Sequence, residues 1–173
     1  NVYLAERYSF TVRKISTSGV ITTVAGNGTQ AYTGDGIQAT SAGMDVRGIA
    51  VDAAGNLFIA DGSNKRIRKV AGNGVISTVA RTGLAFPTRV GVSPAGNLFV
   101  IDGARVLRVD GAGNVQPFAG NGEFGAGGDG GPALQAQLEN PTGLAFDPHG
   151  NVYIVTGARV RRVDAAGSIA TVV

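Results

Sequence analysis

The residues able to do chemistry are few. A single histidine, His149, stands in Asp147-Pro148-His149-Gly150-Asn151, and there is no cysteine. A thiol nucleophile, a thiolate metal site and a metal centre built on several histidines are therefore excluded within this chain. A serine nucleophile would have to pass its proton to His149, and no spacing singles one out; copies of the same turn carry Ala54 and Ala95 at that place, so His149 reads as a solvated turn residue. Carboxylates recur more pointedly. Glu6, Asp61 and Asp102 fall at matching places of a repeated segment and would gather around one face of a ring, although the repeat alone is reason enough for their recurrence. Asn27 and Asp35 are eight residues apart, as are Asn121 and Asp129, each pair set among glycines. Such repeated oxygen donors bring calcium to mind, which takes about six or more oxygens. One carboxylate per loop is thin for that ion, and Asx-turns account for Asn and Asp beside glycine. No cofactor is expected, calcium being the one ion weighed.

The net charge is +3, from 15 Lys and Arg against 12 Asp and Glu. Eleven of the basic residues (Arg13, Lys14, Lys65, Arg66, Arg68, Lys69, Arg105, Arg108, Arg159, Arg161 and Arg162) lie in or beside one recurring β-branched stretch. They belong to a repeat, where long aliphatic stems are expected to cross apolar neighbours while the charges stay in water. Aromatic residues number only 7 Phe and 4 Tyr, several at periodic core places such as Phe58, Phe99 and Tyr153. A base-stacking platform is missing, so nucleic-acid binding is disfavoured.

The elements that must position these residues are short strands. Gly-Asn followed by strand formers occurs at Gly55-Asn56-Leu57-Phe58-Ile59, Gly96-Asn97-Leu98-Phe99-Val100 and Gly150-Asn151-Val152-Tyr153-Ile154, and Asn1-Val2-Tyr3-Leu4 matches the second half. About ten residues later comes the basic stretch, as in Ile67-Arg68-Lys69-Val70, and then a last strand. A further strand precedes each complete Gly-Asn pair, rich in Gly and Ala at Gly48, Ala50, Gly91, Gly143 and Ala145, as expected where units converge on a crowded axis. The last strand tolerates Pro117, which suits an outer edge. With turns such as Asp52-Ala53-Ala54-Gly55-Asn56 between strands and no helix long enough for a crossover, each unit is a four-stranded antiparallel meander. No apolar run approaches the roughly 18 residues of a membrane span.

The segment Gly55 to Val70, Gly-Asn-Leu-Phe-Ile-Ala-Asp-Gly-Ser-Asn-Lys-Arg-Ile-Arg-Lys-Val, resembles the signature of NHL-repeat β-propellers. Thr23 to Gly28 with Gly34-Asp35-Gly36, and Phe118 to Gly122 with Gly128-Asp129-Gly130, are similar to the long-loop variety found in large bacterial and some animal cell-surface proteins. The expected fold is all-β: one propeller segment over 1–173, with a partial blade at 1–28 and blades at 47–80, 88–122 and 142–173. Long inter-blade loops cover 26–46 and 120–141. Because Asn1 corresponds to Asn56, the first blade lacks its innermost strand and the sequence opens inside a blade; the resemblance implies a six-bladed ring completed by further blades of the parent chain or by another subunit. Asn1, Asn56, Asn97 and Asn151 are 55, 41 and 54 residues apart, so long and short units alternate. Thr156 departs from the acidic pattern of Asp61 and Asp102, and Gly103-Ala104-Arg105 shortens one hairpin. The resemblance implies an extracellular or periplasmic setting and a non-catalytic binding or scaffolding role toward a protein partner. Carbohydrate or small-ligand binding, RNA binding through a basic face and a propeller-type lyase or hydrolase are the alternatives. Loops held by a rigid scaffold carry function, which makes Glu6, Arg7, Tyr8, Gln30, Tyr32, Asp35, Asn64, Lys65, Glu123, Phe124 and Asp129 the candidate contact residues.

Overall fold

A computed structural model describes residues 1–173. The first sheet holds β1 (Val2–Glu6), β2 (Thr11–Ile15) and β3 (Ile21–Ala25), and the second holds β4 (Val46–Val51), β5 (Leu57–Asp61), β6 (Arg66–Val70) and β7 (Ile76–Ala80). The third comprises β8 (Pro87–Val92), β9 (Leu98–Asp102), β10 (Val106–Val109) and β11 (Val115–Ala119), and the fourth β12 (Pro141–Phe146), β13 (Val152–Thr156), β14 (Arg159–Val163) and β15 (Ile169–Thr171). Each sheet is a meander in chain order, with every neighbouring pair antiparallel. The chain is thus a segment of a β-propeller: three blades of four strands and one of three. In the short blade β1 pairs with β2 in the register that β5 uses with β6, so the strand it lacks is the inner one.

Tight hairpins join the first and second strands and the third and fourth, all at one end of the blades. In three of them an Asp-x-x-Gly-Asn sequence forms a double clamp. In the Asp52 turn, Asn56 donates its backbone N–H to Oδ1 at 2.8 Å and its side-chain amide to Oδ2 at 2.7 Å, while Gly55 takes a φ of +81° that a Cβ would resist. Asp147 with Asn151 and Asp110 with Asn114 repeat the arrangement. The amide of Asn151 holds the Asp147 carboxyl below the usual carboxylate range, and the amide of Asn114 does the same for Asp110.

The strands β4, β8 and β12 lie against one another as the innermost layer. Their glycines are required by close approach: a Cβ on Gly48 would stand 2.8 Å from the Thr88 carbonyl, and one on Gly91 would stand 2.8 Å from the Phe146 ring. Arg89 ties this layer, donating to the carbonyls of Arg47, Thr88 and Thr142 at 3.0, 2.9 and 3.2 Å.

Apolar residues fill the wedges between blades. Val12 and Ala25 of the first blade meet Leu57, Ile59, Val70 and Ile76 of the second. Phe58, Ala60 and Ile67 meet Val90, Leu98, Val100, Leu107 and Val109 of the third. Phe99, Ile101 and Val106 meet Val152, Ile154, Val163 and Ile169 of the fourth. In the first and last wedges a long loop contributes its own plug, a short 3-10 turn at Ala39–Ser41 or Ala133–Gln135. Ala39, Ala42 and Met44 are buried in one, Ala133, Ala136 and Leu138 in the other. The same loops cover the edge of the receiving blade: Gly36 donates to the Ile76 carbonyl, Ile76 to that of Ile37, and Ala39 to that of Gly74. An outer strand that would offer unpaired N–H and C=O groups is thereby partly sealed.

Candidate functional site

The register sets Val46 opposite Asp61 and Val51 opposite Leu57. The crossover loops and the hairpins between second and third strands therefore share the end opposite the Asp-Asn turns. This loop face holds Glu6, Arg7, Tyr8, Gln30, Tyr32, Asn64, Lys65, Glu123 and Phe124, whereas Asp35 and Asp129 lie along the outer strands, at the height of the Arg68–Thr78 and Arg161–Thr171 pairs.

Its base is a set of carboxylates spent on backbone. Asp61 Oδ1 accepts the Asp45 N–H and the Asn64 amide, both at 2.7 Å. Asp102 accepts the N–H groups of Ala85 and Phe86. Thr156 does the same work with reversed polarity, its hydroxyl donating to the Glu139 carbonyl at 2.8 Å. The recurring acid at the end of the second strand thus fixes how the chain enters the first strand, which is why Thr can replace it. Asp45 is buried as well, and its Oδ2 accepts from Arg47 Nε and the Ser63 N–H at 2.8 Å. Burial pushes the Asp61 carboxyl up; Asp45, although burial opposes it, is held below its ordinary range by Ser63 and Arg47. Glu6, at the matching place of the first blade, accepts from Thr11 and lies 3.8 Å from Arg13.

The long loops are locked by two arginines that the sequence expectation had in water. Arg68 and Arg161 are fully buried. Arg161 gives Nε and Nη2 to Asp129 Oδ1 at 3.0 and 2.6 Å, Nη1 to the Gln137 carbonyl at 2.8 Å and Nη2 to that of Gly127 at 3.2 Å. Arg68 gives Nη2 to the Gly34 carbonyl at 2.7 Å and to Asp35 at 3.0 Å, and Asp35 also accepts from Thr78. Inward pointing is the correction: the first long loop brings two acceptors to its guanidinium and the second brings three, and these charge-assisted bonds offset part of the desolvation. Asp35 and Asp129 accordingly act as loop anchors. A signal was present in the sequence, since the blade that receives a short connection has Leu107 where the others have Arg68 and Arg161.

Asn27 and Asn121 close local Asx-turns, Asn27 accepting from the Thr29 N–H at 3.0 Å and Asn121 from the Glu123 N–H at 2.8 Å. Glu123 accepts from Gln137 within its own loop. Gln30 donates to Ser63 and accepts from Asn64, joining the first long loop to the β5–β6 hairpin, in which Lys65 holds a φ of +54°.

What remains free on this face is aromatic and cationic. Tyr8 is 88% exposed with Arg7 at 5.6 Å from its ring, and Phe124 is 70% exposed. Tyr32 has the Arg66 guanidinium over its ring at 4.1 Å and that of Arg68 at 4.8 Å; Phe86 has Arg47 at 4.8 Å. Each aromatic comes from a successive loop around the segment. Phe86, Arg47 and Arg66 were not among the sequence candidates, because the loop carrying Phe86 is the short one and the two arginines sit at strand starts. His149 lies at the opposite end, its side chain 86% exposed.

A family model described as Teneurin NHL domain matches residues 25–83 and 123–173. Teneurin-1 of Caenorhabditis elegans is 33% identical over 135 residues, which are 68% of this chain and 5% of that protein. The chain therefore spans a small part of the curated relative it matches. Among solved structures, virginiamycin B lyase from Staphylococcus aureus aligns with 98% of the chain and 50% of its own at a TM-score of 0.65 and 15% identity. An auxiliary nutrient binding protein from Bacteroides thetaiotaomicron aligns with 92% of this chain and 40% of its own, at a TM-score of 0.68 and 12% identity. At these identities the two structures share the propeller fold. By its matched repeats, its blades and its long loops, the chain belongs to the teneurin NHL domain family.

Proposed function

We propose that the chain is a non-catalytic protein-binding module in an extracellular or periplasmic setting, and that its loop face makes the contact. The observation that carries this reading is the row of exposed aromatics, Tyr8, Tyr32, Phe86 and Phe124, three of them under an arginine, with Tyr32, Phe86 and Phe124 on crossover loops that buried side chains hold still. Aromatic and arginine residues presented at low conformational cost are the chemistry of protein hot spots. A lyase or hydrolase reading has little to stand on: Asp61 and Asp102 are bonded to backbone, and His149 is far from both at the turn end. RNA binding is weakened by the burial of Arg68 and Arg161. The segment is read as part of a larger, six-bladed ring.

The test is photo-crosslinking on cells bearing the parent protein, with the reactive residue placed at Tyr8, Phe86 or Phe124 and, as controls, at Ala54, Ala95 or His149. Adducts concentrated at the loop-face positions support the reading. Equal capture from the turn end would sink it.

A further inference from the structure

Arg68 and Arg161 do not act alone. The register sets Arg68 opposite Thr78 and Arg161 opposite Thr171, and in each blade the loop aspartate meets that pair: Asp35 accepts from Arg68 and Thr78, and Asp129 accepts from Arg161 with Thr171 beside it. In the third blade, which receives a short connection, the same two positions are Leu107 and Pro117. Arg-Thr against Leu-Pro therefore records which kind of loop a blade accepts. In the first blade the pair is Arg13 and Thr23.

The surroundings of Arg13 repeat those of Arg68. Glu6 stands 3.8 Å from it as Asp61 stands 3.6 Å from Arg68. Nε is buried without a partner in both arginines, but the loop carbonyl and aspartate that Arg68 Nη2 meets have no equivalent beside Arg13. Around Arg13 the apolar pattern of the second blade is also present and uncovered. Leu57, Ile59 and Ile76 are 3, 0 and 0% exposed beneath the first blade and its loop; their counterparts Val2, Leu4 and Ile21 are 57, 40 and 47% exposed.

We propose that the outer face of β1, β2 and β3 is a docking face for another NHL blade whose long crossover loop carries an aspartate between glycines, and that Arg13 and Thr23 are the receptor for that aspartate. The inference rests on reading the chain as part of a larger ring, and it specifies the neighbour: a long-loop blade, against the short connection that strict alternation of the 55-, 41- and 54-residue spacings would put there. A short-connection neighbour would leave the guanidinium and Glu6 under an apolar lid with no acceptor from the loop, an arrangement the third blade avoids with Leu107.

A fusion tests this. A second copy of residues 85–150 is joined ahead of Asn1, so that Gly150 runs into Asn1 as it does into Asn151; the addition supplies a blade, its long loop with Asp129 and an inner strand for β1. Unfolding and amide exchange are then measured for the fusion, for Arg13→Leu, for the added Asp129→Ala and for the double variant, with Thr23→Ala as a further partner for the cycle should Arg13→Leu fail to fold. The expected result is protection of β1 to β3 together with coupling of Arg13 to the added Asp129 of about tenfold or more in the unfolding equilibrium constant. Protection with additive effects would overturn the receptor and leave the ring reading intact. No protection would overturn both. Concentration-dependent association of the unextended chain through β1 to β3, insensitive to Arg13→Leu, would identify a second copy as the occupant and likewise overturn the proposal.

Discussion

Removing either partner of the Arg161–Asp129 clamp destabilises the fourth blade, and the two losses differ in size for a reason visible in the geometry. Arg161 is fully buried, whereas the Asp129 side chain is 43% exposed. In Asp129→Ala the guanidinium stays in the wedge with only the Gln137 and Gly127 carbonyls to answer its charge. An uncompensated buried charge costs about 3–4 kcal/mol. In Arg161→Leu the carboxylate rehydrates where it stands and two carbonyls lose a donor, for about 2 kcal/mol. With a urea slope of about 2 kcal/mol/M, the midpoint falls by roughly 1.5–2 M in the first variant and about 1 M in the second. Because both mutations break the same interaction, the double variant resembles Arg161→Leu alone. Urea melts followed by circular dichroism, with amide exchange of Gly130 and Ile169 reporting on the loop, give the comparison. Arg161→Leu proving the more harmful, or strict additivity, would refute the account of the buried arginine as a charge that needs its loop.

Leu107→Arg in the third blade puts a guanidinium into a wedge whose short connection brings no aspartate; a loss of about 4 kcal/mol or failure to fold is expected, read from soluble yield and melting. Gly48→Ala pushes a methyl to 2.8 Å from the Thr88 carbonyl, and a drop of about 2 kcal/mol, seen as a lower Tm, is expected because backbone must give way. Acidification lowers stability. Asp45, Asp52, Asp110, Asp129 and Asp147 titrate below their ordinary range when folded, so their contribution is complete above that range and is lost as pH falls through the lowered values. Asp61, raised by burial, opposes this: folding favours its protonated form, and its part of the stability declines as pH rises from the ordinary range through its raised value. Asn151→Ala, which frees the Asp147 carboxylate, should lower the melting temperature at neutral pH and flatten the acid limb; an unchanged limb would remove the turn clamp from the account.

The blades were legible because their hairpins leave a written residue at each end. Gly55 for its positive φ, Asn56 for its two bonds to Asp52 and the small inner residues Gly48 and Gly91 each answer a local demand that recurs at a fixed place. The plug that starts at Ala133 has a mark of the same kind, Pro132 standing extended just ahead of its 3-10 turn. The loop face was read less well. Arg68 and Arg161 look like their solvated neighbours Lys69 and Arg162 when only charge is counted, and what buries them lies over thirty residues away in the chain. Only the exchange of Arg68 for Leu107 alongside the change in loop length betrays the pairing. Phe86 was passed over for want of a long loop around it, although Arg47 across the wedge makes it part of the same surface.

The tie made by Arg89 at the axis has a bearing on how the molecule would come apart. Its partners are three backbone carbonyls, none of which titrates, so acid that strips Asp147 or Asp110 of charge leaves this bond set untouched. The Asp147 and Asp110 turns hang on carboxylates, while the tie among the innermost strands hangs on amide oxygens. Dismantling by acid should therefore run from the turn end and the rim toward the centre, with β4, β8 and β12 the last strands to part.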